Sequence, residues 1–148
     1  MIRFGAPKKN PRADSFWLPL LSGRITATGA PSQKRLHSWK SAGVTDVVTL
    51  LRSDEMNGWL PDECLAVGIN WHHFPLSGRN LGTRHDMETL ARLPKLVSLL
   101  EDSSHELSVV VHCAAGLHRT GVFLYLLLRT AGFNEDETVL MIDRKSVV

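Results

Sequence analysis

The sequence predicts a single α/β domain with a central, mostly parallel sheet flanked by helices, and three observations predict it. From Gly23 onward, short β-rich segments alternate with segments of helical length, the rhythm of strand-helix-strand units. Glycine or proline punctuates the joints, and no internal repeat, low-complexity stretch or composition shift marks a second domain. A chain of 148 residues with a 43% apolar share is large enough to close one core without disulfides.

The elements follow in order. Residues 1–15 are rich in Pro, Lys and Arg and show no hydrophobic period, so they read as an arm preceding a domain over residues 16–148. Residues 24–28 read as a strand, 32–42 as a helix and 44–51 as a strand. A short helix over 61–67, a strand over 69–74 and a longer helix from about 85 to 100 come next. Pro94 falls inside that last helix and lacks the N–H that the preceding turn needs, so the helix is expected to kink or split. Residues 107–111 are short, apolar and β-branched, as a buried parallel strand requires. Helices over 120–129, ending near Gly132, and over 135–144 close the chain. Ligands in such sheets bind beyond the carboxyl ends of the strands, where residues 107–111 deliver His112 and Cys113.

Composition excludes several classes. Lys and Arg outnumber Asp and Glu by 17 to 15, too small an excess to indicate a nucleic-acid or membrane partner. The longest apolar run, residues 122–128, is too short to span a bilayer, and the prolines and lysines of the first residues do not make a signal peptide. The basic start, without an acidic residue before Asp14, loosely resembles a transit peptide, but its prolines would break the amphipathic helix. Two cysteines, Cys64 and Cys113, suit a reducing cytoplasm rather than a disulfide scaffold. A cytoplasmic monomer is expected.

Chemistry concentrates in Cys113, Ala114, Ala115, Gly116, Leu117, His118 and Arg119, set between a strand and a helix. The backbone N–H groups of a loop this small can curl around an anion. The helix beginning near His118 adds unpaired donors and the positive end of its dipole, which favour phosphate. Arg119 offers a planar fork for two phosphate oxygens, which a lysine does not. The same field lowers a cysteine pKa from about 8.5 into the range of roughly 3.5 to 7.5, making Cys113 a thiolate nucleophile near neutrality. Attack on phosphorus would form a phosphocysteine that water then hydrolyses, and Thr120 can stabilise the departing sulfur in that second step. His112 is expected to orient the loop through backbone hydrogen bonds rather than act as a base. A buried core cysteine is the bland alternative, and Gly116 and Arg119 argue against it.

The run HCAAGLHRTG resembles the signature of the cysteine-dependent protein tyrosine and dual-specificity phosphatases: Cys, five residues, Arg, then Ser or Thr. The stretches GRITATGAP, GVTDVVTLL and INWHHFPL resemble the order of elements in the compact dual-specificity branch over most of residues 17–145, and Arg144 resembles an arginine usual near the end of that fold. The resemblance implies Cys113, Arg119 and Thr120 as catalytic residues and Ala114, Ala115, Gly116, Leu117, His118 and Arg119 as the phosphate cradle. It implies a phosphorylated protein as substrate, phosphotyrosine first and phosphoserine or phosphothreonine besides, with no metal and no cofactor.

One departure stands out. The family places a general-acid Asp two or three residues after a proline in a stretch such as His73-Phe74-Pro75-Leu76, whereas here Ser77, Gly78, Arg79 and Asn80 follow. Protonating the leaving oxygen is worth about a hundredfold or more, so three readings compete. Asp54, narrowly ahead of Asp86, or Glu55 supplies the proton; or the leaving group needs none, as with an aryl phosphate or the anhydrides cleaved by phosphatase-like RNA 5′-triphosphatases; or the domain binds phosphate with weak turnover. Substrates such as RNA 5′-phosphate, a phosphoinositide or a nucleotide remain the alternative class.

The other chemistry-bearing residues read plainly. Cys64 sits in a helical stretch with Leu65 and Val67 and is expected to pack. His72 and His73 are adjacent on a strand, face opposite sides and cannot chelate one metal together. His118 is expected to face solvent at the mouth of the site, and Trp17, Trp39, Trp59 and Trp71 to pack the core or its rim. Arg79 and Arg84 offer either anion attraction or a solvated face.

Overall fold

A computed structural model describes residues 17–78, 81–103, 105–114 and 118–147, with side chains described as far as Asp143. The arm over residues 1–15, Arg79, Asn80 and the side chain of Arg144 lie outside the described residues. Five strands, β1 (Leu18–Leu20), β2 (Gly23–Thr28), β3 (Asp46–Thr49), β4 (Asn70–His73) and β5 (Ser108–His112), form one sheet in the order β1-β2-β5-β3-β4. Among the described residues only the β1-β2 pair is antiparallel; β2-β5, β5-β3 and β3-β4 are all parallel. The helices are α1 (Gln33–Ser41), α2 (Trp59–Val67), α3 (Arg84–Leu90), α4 (Leu93–Glu101), α5 (His118–Thr130) and α6 (Glu135–Val147).

Helices cover both faces because β3 and β5 are apolar on both. Val47 and Val110 join Leu36 and Trp39 of α1 and Leu60 and Cys64 of α2 in one buried cluster. Val48, Val109 and Val111 join Leu93, Leu96 and Val97 of α4, Phe123 and Leu127 of α5 and Met141 of α6 in the other. Phe123 is fully buried and meets Phe74 edge to face, with ring centroids 5.4 Å apart. Each buried Leu, Val or Phe contributes roughly 1.5–3 kcal/mol, so the two clusters hold the sheet from both sides.

The predicted elements are present, with shorter strands at 46–49 and 70–73 than expected. Pro94 does divide the expected helix: α3 stops at Leu90, and Pro94 sits in the first turn of α4, where its missing N–H costs nothing. The sequence reading missed β1, a three-residue strand containing Pro19, too short to show alternation. It turns into β2 through Leu21, whose φ is 51°. Beside this hairpin, Arg24 N–H donates to the Leu107 carbonyl at 3.0 Å, bringing the entries of β2 and β5 so close that a Cβ on Gly23 would collide with the Leu107 backbone.

The start of α3 is fixed by a capping box. Thr83 Oγ1 accepts from Asp86 N–H at 3.1 Å, while Asp86 Oδ2 accepts from the Thr83 hydroxyl at 2.7 Å and its N–H at 3.4 Å. Asp86 also reaches back to the loop after β4, accepting from Ser77 N–H at 2.8 Å and Ser77 Oγ at 2.6 Å. Its side chain is fully buried. Burial alone would raise its pKa; the hydrogen bonds from Ser77 and Thr83 more than offset that, and the carboxyl ends below its ordinary value.

Two predictions come from these contacts. Gly23→Ala should lower stability by about 1–3 kcal/mol in a denaturant titration, because the added methyl meets backbone that cannot rotate away. Because folding depresses the Asp86 pKa, its contribution is complete above the ordinary value near 3.8 and is lost as pH falls through the lower folded value. Asp86→Asn should therefore be less stable at neutral pH and lose less stability than the parent on acidification below about pH 4, read from melting temperatures against pH.

Candidate active site

Parallel register sets the floor of the site. Thr28 pairs with His112, His112 with Thr49 and Thr49 with His73, so four strand ends share one carboxyl edge. The loops leave the sheet together: Leu50 N–H donates to the His112 carbonyl at 2.9 Å and Leu76 N–H to the Leu50 carbonyl at 3.0 Å. Cys113 is the first residue beyond β5, and its side chain joins the cluster under α4 and α5 at 3% exposure. Ala30 N–H donates to the Ala114 carbonyl at 3.4 Å, fastening the start of the loop to the segment after β2. Ala115, Gly116 and Leu117 lie outside the described residues.

The first turn of α5 supplies the rest. His118 is exposed, whereas Arg119 and Thr120 are buried at 7% and 1% exposure. Thr120 Oγ1–H donates to Cys113 Sγ at 3.1 Å. Arg119 is forked by Glu55: NH1 donates to Oε1 at 2.9 Å and NH2 to Oε2 at 3.3 Å, while NH1 also donates to the Leu76 carbonyl at 3.1 Å. Of five N–H donors, both on NH1 and one on NH2 are thus used. Among the described residues, the second NH2 proton and Nε–H remain along one edge of the guanidinium, the pair that matches two oxygens of a phosphoryl group. Gly78 packs on the guanidinium, with a Cβ position 3.6 Å from its central carbon.

The three carboxylates offered as proton donors have other partners. Glu55 holds Arg119; that hydrogen bond draws its pKa below the ordinary value against a smaller opposing effect of burial. Asp54 is exposed and pairs with Arg52 Nε at 3.2 Å, which likewise lowers its pKa. Asp86 is enclosed in its capping box and held ionised. Each is an anion at neutral pH in this arrangement. The sequence reading placed Glu55 at the right end of the sheet but did not anticipate its salt bridge, which joins residues 64 positions apart with no local pattern to announce it.

His112 lies under the loop, fully buried, and burial pushes its pKa down to about 4 even though the Cys113 backbone favours the protonated ring. It is a neutral imidazole at neutral pH. Its Nε2 lies 2.7 Å from Thr49 Oγ1, which accepts from Trp71 Nε1–H at 2.8 Å. His72 and His73 do part company: His72 Nε2 meets Asp46 Oδ2 at 2.8 Å, and His73 Nε2–H donates to the Leu51 carbonyl at 2.7 Å. Cys64 is fully buried in the opposite cluster, with its thiol pKa pushed up to about 11 by burial. Trp17 and Trp39 are buried, and Trp59 and Trp71 rim the same cluster. Arg84 is a solvated side chain, 3.7 Å from Glu88.

Comparison with known proteins agrees with this geometry. No curated protein matches the chain in sequence. Among solved structures, Tk-PTP in its active form superposes with a TM-score of 0.66 at 22% identity, over 84% of this chain and 81% of its own. Kinase associated phosphatase, carrying serine for its catalytic-site cysteine, gives 0.64 at 16% identity over 97% and 83%. The core catalytic domain of the PP-IP phosphatase SIW14 from S. cerevisiae gives 0.60 at 16% over 86% and 74%. These likenesses establish the shared fold, and the sequence model of the tyrosine phosphatase family matches residues 23–140, most of the chain. The chain belongs to the tyrosine phosphatase family, whose activity is that of a cysteine-dependent phosphatase.

Proposed function

We propose that the chain hydrolyses phosphomonoesters through a phosphocysteine on Cys113, with phosphotyrosine in proteins as its substrate. The observation that carries this reading is the hydrogen bond from Thr120 to Cys113 Sγ, made by the same helical turn that buries Arg119. In the first step the Cys113 thiolate forms a bond to phosphorus as the bond to the tyrosine oxygen breaks, and the phenolate leaves with the electron pair. In the second, water attacks phosphorus, the sulfur-phosphorus bond breaks and its pair returns to Sγ, where the Thr120 hydroxyl stabilises the thiolate. The water's protons pass to phosphate and solvent. Arg119 grips the phosphoryl oxygens throughout with the edge that Glu55 leaves over, a donor pair already in place for the transferring group.

The carboxylates sharpen the substrate. With Asp54, Glu55 and Asp86 engaged as anions, the reading is supported best for leaving groups that depart unprotonated. A phenol, with a pKa near 10, does so far more readily than the alcohol of serine or threonine. The same accounting supports a second reading, a phosphoanhydride of a nucleotide or another small polyphosphate, and likeness to a protein named PP-IP phosphatase points the same way. The proposed setting is a reducing cytoplasm; neither cysteine is in a disulfide, and among the described residues no helix is long and apolar enough to cross a membrane.

Turnover of p-nitrophenyl phosphate, phosphotyrosine and phosphoserine peptides and a nucleoside triphosphate tests both readings. Cys113→Ser should abolish all turnover, by on the order of a thousandfold or more. Phosphoserine should react at least about a hundredfold more slowly than phosphotyrosine, and Asp54→Asn should match the parent within about twofold on every substrate. Equal rates on phosphoserine, or an Asp54 variant that loses the peptide but keeps p-nitrophenyl phosphate, would restore a general acid. Preference for the triphosphate over phosphotyrosine would select the second reading.

A further inference from the structure

The carboxylate that forks Arg119 is itself seated by backbone. Glu55 Oε1, which accepts from Arg119 NH1 at 2.9 Å, also accepts from the Arg52 N–H at 3.0 Å. Glu55 N–H in turn donates to the Arg52 carbonyl at 2.9 Å, so residues 52–55 close a turn on their own carboxylate. Arg119 does most to draw the Glu55 pKa down, and the Arg52 N–H adds to it. Hydrogen bonds weaken steeply off their line, so the direction of that N–H helps decide where the carboxylate stands.

The direction is set from the neighbouring strand. Arg52 N–H belongs to the peptide group whose oxygen is the Leu51 carbonyl, and that oxygen accepts from His73 Nε2–H at 2.7 Å. A trans peptide is planar with its C=O and N–H pointing opposite ways, so a donor held on the oxygen orients the N–H as well. Bonds in series through one peptide also polarise each other. His73 is firmly placed for this task. Its ring stacks on Trp71 with centroids 5.0 Å apart, and its own carbonyl accepts from Arg92 NH2 at 2.7 Å. The next residue, Phe74, donates its N–H to the Thr49 carbonyl at 2.9 Å, which ties this end of β4 to β3. A carbonyl oxygen only accepts, so Nε2 carries a proton in this contact whether the ring is neutral or cationic.

We propose that His73 is a positioning residue for Arg119: through the peptide joining Leu51 and Arg52 it aims the N–H that seats Glu55, and Glu55 then holds the guanidinium with one edge toward the phosphoryl group. Four contacts make the path, from His73 to the Leu51 carbonyl, across the peptide to the Arg52 N–H, on to Glu55 Oε1 and so to Arg119 NH1. The grip of Arg119 on phosphate is the reading given above; the seating of its guanidinium can be measured without turnover.

Proton-nitrogen NMR of the Arg119 guanidinium tests the proposal, since a forked guanidinium rotates slowly about its C–N bonds and a loosened one rotates fast. His73→Phe keeps a ring against Trp71 and removes the donor, and should speed that rotation by about tenfold. His73→Gln, whose amide nitrogen reaches the place of Nε2, should return the rate to within about twofold of the parent. In a Glu55→Gln protein, where the path is already cut, His73→Phe should add less than about twofold. Binding of inorganic phosphate, measured by calorimetry, should weaken in the same order. A folded His73→Phe protein whose Arg119 rotates as in the parent, or an equal change in both backgrounds, would sink the proposal. Should His73→Phe fail to fold, long-range proton-nitrogen NMR of the unaltered protein and the His73→Gln rate decide: an unprotonated His73 Nε2 overturns the proposal, and a protonated one with Arg119 still slow in His73→Gln upholds it. Absence of phosphate binding or turnover with the rotation pattern intact would count against the functional reading and not against this one.

Discussion

A guanidinium buried to 7% exposure cannot stay charged without partners, and satisfying Arg119 organises the whole mouth of this protein. Glu55 must leave the carboxyl end of β3 and cross to α5, and the chain after β4 must present the Leu76 carbonyl. Three segments that no single strand unites are thereby tied to one side chain. Among the described residues, what the fork leaves over is one edge of the guanidinium, aimed by the salt bridge to Glu55. Preorganisation of this kind is what electrostatic stabilisation of a transferring phosphoryl group needs, since donors already in place cost no reorganisation during the reaction.

The same arrangement explains how the site does without a carboxylic acid in its usual place. Gly78 sits against the Arg119 guanidinium, and its neighbour Ser77 is bound to Asp86 through both backbone and hydroxyl. The loop after β4 is thus tied to a capping box whose carboxylate is held ionised. Acid catalysis and loop anchoring make opposite demands on one carboxyl, since the first needs a proton on it and the second needs it without one. Here the anchoring contacts prevail, and the chemical step proposed above leans on the Cys113 thiolate and Arg119 instead.

Much of this was legible in the sequence because the signals were local. The sequence run from His112 to Gly121 carries its own pattern, the valines of β3 and β5 announce buried strands, and Pro94 marks the break between α3 and α4. β1 was not legible, since three residues with a proline carry no period and are recruited by pairing with β2. Thr83 and Asp86 stood at capping-box spacing, a signal that could have assigned Asp86 its structural role beforehand. Glu55 with Arg119, and Thr49 with Trp71 and His112, depend on which strands lie side by side and in what register. Sequence alone orders the strands along the chain, not across the sheet.

The central claim is that Cys113 carries the phosphoryl group, and trapping it is the most direct measurement. Acid quench of a reaction with p-nitrophenyl phosphate, using a Thr120→Ala protein in which hydrolysis of the intermediate is slowed, followed by peptide mass spectrometry, places the adduct. The account predicts a phosphoryl group on the peptide containing Cys113, formed with a burst of p-nitrophenol matching the enzyme concentration. Steady turnover with no adduct there, or an adduct on another residue, would contradict it.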